Sequence, residues 1–185
     1  MNKINYPCKQ IWRLLIPDGA VGASEDFFDF FNATTATANT GARIVVSSVK
    51  VMVAIDVANA AAVGANLHLH KTSAVGTGGT AATTEGTVNT AATFNTVTPH
   101  PGALPAGITA RLKPTGAATT GAWLYQTCVG LEELNFGALI EKWLHSPDME
   151  PIVLTQGQGL KVVQGTVAAA GSIGFIVEFG ILERY

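Results

Sequence analysis

The stretch ARIVVSSVKVMVAIDV, residues 42–57, runs with a period of two: Val45, Val49, Val51, Val53, Ile55 and Val57 share parity. Successive side chains of an extended chain leave opposite faces, so this set falls on one side of a strand. Ser47 interrupts that side, while Ile44, Val46 and Met52 give the other side apolar character of its own. The stretch therefore reads as a long strand buried over much of both faces.

Working outward, comparable runs occur at QIWRLLI (10–16), NLHLHK (66–71), GITARLK (107–113) and AWLYQTCVGLEE (122–133), then at PIVLT (151–155), GLKVVQGTV (159–167) and SIGFIVEFGILERY (172–185). Glycine, proline or asparagine punctuates most of the gaps, which adds up to about eight strands. Two packed sheets, an antiparallel β-sandwich of jelly-roll type, accommodate that number of strands and those connections. Helix signals are few. SEDFFDFF (24–31) opens on an N-cap-like Ser24 and predicts at most a short helical turn that packs Phe27, Phe28 and Phe31 inward. FGALIEKWLHSP (136–147) places Leu139, Ile140, Trp143 and Leu144 on a helical stripe stopped by Pro147, and is equally readable as a strand.

The chain of 185 residues suits one domain, with an arm over about residues 1–40 and a Thr/Ala/Gly-rich insertion over about 72–106. Only 13% of residues are charged, about half the usual share, so much of the surface is Thr, Ala, Gly and Asn. Such a surface suits burial against copies of itself or other proteins, because an isolated monomer depends on charge for solubility. Lys and Arg are scattered singly and the net charge is −2, which argues against nucleic acid as a partner. Apolar runs are broken before 18 residues and the start MNKINYPCKQIW lacks a signal-peptide layout, so neither a spanning helix nor export by that route is expected. Cys8 and Cys128 stand in no metal-like spacing and read as reduced thiols of a protein made in cytoplasm.

Two segments invite a sharper reading. In residues 72–98 threonine recurs at Thr84, Thr87, Thr90, Thr93 and Thr96, a spacing that fits neither a strand face nor a helix stripe; a Thr-rich loop pinned by neighbouring subunits accounts for it. TQGQGLKVVQG (155–165) resembles a phosphate-binding loop only superficially. Val162 stands where the dinucleotide fingerprint needs its third glycine, and no Gly-Lys-Ser/Thr follows. Gly157 and Gly159 instead supply positive φ at a turn where strands pair or switch sheets, and Gly165 marks a bulge or close approach. Gln156, Gln158 and Gln164 near this corner, with Thr84, Thr87 and Thr90, are the candidate interface residues.

Motifs that carry chemistry are sparse. His68 and His70 project from one strand face, as metal ligands do, but no third ligand follows within range; the next acid along the chain is Glu85. Two polar residues on a solvent or inter-subunit face are the simpler expectation, and neither a metal nor another cofactor is predicted. Glu132 and Glu133 point to opposite faces, and Asp148 and Glu150 sit in a proline-closed loop, so no glycosidase-type pair emerges. Without a G-x-S-x-G elbow or Cys/His signature, the chain is not expected to be an enzyme. Trp12, Trp123 and Trp143 are each flanked by aliphatics, which favours core or interface packing over stacking on a sugar.

The C-terminal third, Trp143 with Pro147, then PIVLTQGQGLKV in a P-x-x-L-x-x-G-x-G-L-x-V corner and a last strand GFIVEFGILERY, resembles small jelly-roll structural proteins of tailed bacteriophages, of the capsid decoration or cement class. The likeness covers about 40 residues. It implies a virion protein synthesised in the host cytoplasm, a homo-oligomer with a trimer favoured, bound to the major capsid or other virion proteins, without catalytic residues. A phage tail or fibre domain that binds a receptor or glycan is the alternative, and a cupin-like metal enzyme using His68 and His70 is a more distant one.

Overall fold

The computed structural model describes residues 10–20, 25–34, 42–54, 65–84, 92–97, 104, 106–116, 123–129, 140–165 and 172–182. Within them lie β1 (Gln10–Ala20), β2 (Asp26–Asn32), β3 (Arg43–Ala54), β4 (Ala65–Thr72), β5 (Thr80–Ala81), β6 (Thr83–Thr84) and β7 (Thr93–Thr96). Further along come β8 (Ile108–Leu112), β9 (Tyr125–Val129), β10 (Ile140–His145), β11 (Ile152–Leu154), β12 (Gln158–Gln164) and β13 (Ser172–Leu182). No helix occurs among the described residues.

The two apolar parities of the opening stretch have one cause. On β3 the pairing with β13 runs Ile44 to Ile181 and Val46 to Phe179, then resumes at Ser48 with Glu178, so Ser47 is the extra residue of a β-bulge. Its hydroxyl donates to the Glu178 carbonyl at 3.0 Å. An extra residue reverses the alternation. Ile44 and Val46 before it, and Val49 and Val51 after it, therefore face the same core, all fully buried. The edge partner changes at the same place: β11 pairs with residues 44–46 of β3 and β10 with residues 49–53.

Pairings nest around the middle of the chain. Gln10 of β1 faces Ile181 of β13, Asp26 of β2 faces Val163 of β12, Ile44 of β3 faces Leu154 of β11, and Ala65 of β4 faces Val129 of β9. Each later strand of the first half thus finds an earlier partner in the second, as in one long hairpin folded over itself. The pairs sort alternately into two sheets, β1-β13-β3-β10 with β11, and β2-β12-β4-β9. That arrangement is the jelly roll. The inserted segment between β4 and β9 extends both sheets: β7 and β6 continue from β1, while β8 and β5 continue from β2.

Neither helix expectation survives. The Phe-rich segment is β2, a central strand held by β8 and β12. Its register shifts between Phe28 and Asp26, which leaves Phe27 as the extra residue and lets adjacent rings reach the interior together. Phe27 and Phe28 both meet Phe175, with centroids 5.2 and 5.4 Å apart, and Phe30 meets Phe179 at 4.8 Å. These contacts join the sheets. Residues 140–145 of the proposed helical stripe form β10, with Leu144 buried and Trp143 half exposed on the opposite side; residues 136–139 lie outside the described residues. Cross-strand pairing overrides the local stripe, since Leu144 has a core to enter only in extended form.

Candidate functional site

The TQGQG corner is a tight turn. Gln158 N–H donates to the Thr155 carbonyl at 3.1 Å, and Gly157 at its third position has φ of +76°. This is a type II-like turn that connects β11 of one sheet to β12 of the other. Gly159 plays a different part from the one expected. It has ordinary φ, but a Cβ there would lie 2.6 Å from the Phe30 carbonyl oxygen and 2.5 Å from the Thr72 hydroxyl. Gly165 shows no bulge; its N–H donates to the Asn66 carbonyl at 2.8 Å.

The three glutamines separate. Gln156 is exposed at the turn tip, and Gln158 Oε1 accepts from the Thr155 N–H at 3.1 Å. Gln164 is only 1% exposed, which corrects the expectation that it is available to a neighbouring subunit: it follows Leu160 and Val162 on the inward face of β12. Thr84 is exposed on β6, and Thr87 and Thr90 lie outside the described residues. These candidates therefore do not converge on one place.

Beneath the loop that follows β4, the outward face of the second sheet buries a carboxylate. Asp29 is 1% exposed, and its Oδ2 accepts from the Gly76 N–H at 2.6 Å. Burial pushes its pKa up to about 6, with the Asp26 charge adding to the rise and the Gly76 hydrogen bond, Lys161 and Arg111 opposing it. Lys161 and Asp26 form an ion pair at 2.9 Å beside it. His145, buried at the end of β10, packs its ring 5.1 Å from Tyr125, and neither ring nitrogen has a hydrogen-bond partner among the described residues. Burial lowers its pKa.

His68 and His70 lie on the outward face of β4, their rings 6.1 Å apart. Trp123 covers them, stacked on His68 at 4.4 Å and 25° and edge-on to His70 at 6.3 Å. No group of three or more His, Cys, Asp or Glu placed to hold a metal occurs among the described residues. The tryptophans thus divide in a way their aliphatic neighbours did not predict. Trp12 is sealed in the core, whereas Trp123 and Trp143 are 49% and 45% exposed, on opposite sheets.

The outward face of the first sheet forms a second surface. Across it runs the row Trp143, Lys50, Ile176, Leu15 and Thr93, and four residues away along the strands the row Gly180, Ile11 and Val97. Between them Arg13 and Glu178 pair at 2.5 Å, and the Lys50 ammonium lies 5.0 Å over the Trp143 ring. A half-open pocket of about 180 Å³ among the inserted strands is walled by Val75, Ala82, Phe94, Leu104, Ile108 and Arg111, with no His, Cys or carboxylate in its lining. No family model, curated protein or solved structure matches the chain.

Proposed function

We propose that this chain is a virion structural protein of the capsid decoration or cement class, which self-associates and binds a viral shell. The observation that carries the proposal is the outward face of the first sheet. An antiparallel sheet with one face in water normally alternates apolar inward and polar outward. Here Ile11, Val97 and Trp143 stand outward with 43%, 49% and 45% of their surface exposed, the Arg13 and Glu178 charges between the rows pair with each other, and the Lys50 ammonium lies over the Trp143 ring. Such a surface makes little demand on water and suits protein contact. With strands about 4.8 Å apart and about 3.3 Å per residue, five strands offer roughly 450 Å² of face. A stable interface takes about 800 Å² per partner, so neighbouring turns such as that of Gln156 would join it.

The test is size-exclusion light scattering of the pure chain, followed by co-sedimentation with purified tailed-phage shells. A homo-oligomer, with a trimer favoured, that pellets with shells is expected. A chain that stays monomeric at every concentration and leaves shells bare overturns the proposal.

A further inference from the structure

We propose that the outward face of the second sheet is a carbohydrate-binding site for neutral pyranose chains, with Trp123 as its stacking platform. This site is on the opposite layer from the self-association face and does not depend on it.

The argument starts from what Trp123 does in the fold. An indole that serves the core is covered on both faces; this one is covered on one. Its inner face rests on His68 at 4.4 Å and its flank meets His70 edge-on, while 49% of its surface remains exposed. Two contacts hold the ring in place before any ligand arrives, so little side-chain freedom remains to be lost on binding. Around it the face carries neutral hydrogen-bonding groups. Gln126 stands directly opposite His68 on the neighbouring strand, and Asn66, two residues before His68, points the same way; both are exposed. Their side-chain amides donate and accept in the manner sugar hydroxyls require. The C–H face of a pyranose ring covers an indole as an apolar surface.

Charge argues for a neutral ligand. On this face Lys161 is paired with Asp26 at 2.9 Å, both side chains largely buried, Asp29 is sealed beneath Gly76, and Arg111 opposite it donates to the Gly78 carbonyl at 2.9 Å. A single-stranded nucleic acid would need a basic groove alongside its stacking platform, and the face has none among the described residues. A proline-rich peptide also docks on aromatic surfaces, and is the occupant the test must separate from sugar.

The experiment titrates the full chain with cellohexaose, maltoheptaose and tetra-N-acetylchitotetraose, and separately with a decaproline peptide, by tryptophan fluorescence and calorimetry. A saturable signal with at least one oligosaccharide is expected, abolished in Trp123→Ala, weakened about tenfold in Gln126→Ala, and unchanged in Trp143→Ala on the opposite sheet. Should Trp123→Ala fail to fold by circular dichroism, Gln126→Ala and Asn66→Ala decide the same question. Silence with all three sugars, binding that survives loss of Trp123, or response to the peptide alone overturns the proposal. Because the titration requires no assembly, its failure is separate from failure to oligomerise, which light scattering of the same samples records.

Discussion

The side-chain amide of Asn32 donates to the backbone carbonyl of Leu154 at 3.2 Å, across the place where β2 ends in one sheet and β11 ends in the other. The same nitrogen donates to the Ala42 carbonyl at 2.8 Å, and Oδ1 accepts from the N–H and hydroxyl of Thr34 at 3.2 and 2.6 Å. Every donor and acceptor of this buried amide is therefore used at the corner beside the TQGQG turn. Asn32→Leu leaves several backbone groups unpaired where water is excluded. A loss of about 2–4 kcal/mol is expected, read from urea unfolding midpoints, and Asn32→Asp should lose a similar amount because it lacks the donors.

The two turn glycines should respond differently to the same substitution. At Gly157 nothing lies within 4 Å of an added Cβ, so Gly157→Ala meets only the strain of positive φ, about 1 kcal/mol, and Gly157→Asn should relieve part of it. At Gly159 the methyl would press on the Phe30 carbonyl oxygen and on Thr72, both held by the sheet. Gly159→Ala is expected to cost more than Gly157→Ala, about 2–3 kcal/mol, in parallel thermal melts.

Stability should carry two pH slopes of opposite sign. Asp29 has a folded pKa raised from 3.8 to about 6, so the folded state holds the extra proton between those values and its contribution is lost as pH rises through the window. Burial holds the folded pKa of His145 below its ordinary value of 6.5, so its contribution is present above 6.5 and is lost as pH falls. Asp29→Asn keeps an acceptor for the Gly76 N–H and removes the buried charge. It should gain up to about 3 kcal/mol at pH 7.5 and expose the acid sensitivity of His145. His145→Phe should show the reverse, a melting temperature that falls as pH rises from 4 to 6. Melts of the three proteins from pH 4 to 8 check the signs; equal slopes in all of them would contradict this account.

A charge placed at the exposed apolar positions of the first sheet should act on assembly and spare the fold. Trp143→Glu and Ile11→Lys replace half-exposed side chains, so their melting temperatures should stay within a few degrees of the parent. Self-association should weaken at least about tenfold in light-scattering dilution series.

Much of the strand inventory follows from the sequence alone, because period-two alternation and turn residues are local signals. Asn66, His68 and His70 share a face whatever surrounds them, and Gly157 marks its turn without help. Three things needed the assembled sandwich. Ser47 and Phe27 become bulges only through their partners, since an extra residue is defined by the strand opposite, and the Ser47 bulge turns two apparent faces of β3 into one. The strand identity of residues 26–32 and 140–145 depends on cross-strand pairing that outweighs a local helical stripe. Trp123 lies over His68 and His70, more than 50 residues earlier, because β9 pairs with β4; local sequence carries no signal for a neighbour that distant, which is why an HxH pair and an isolated tryptophan became one surface only in three dimensions.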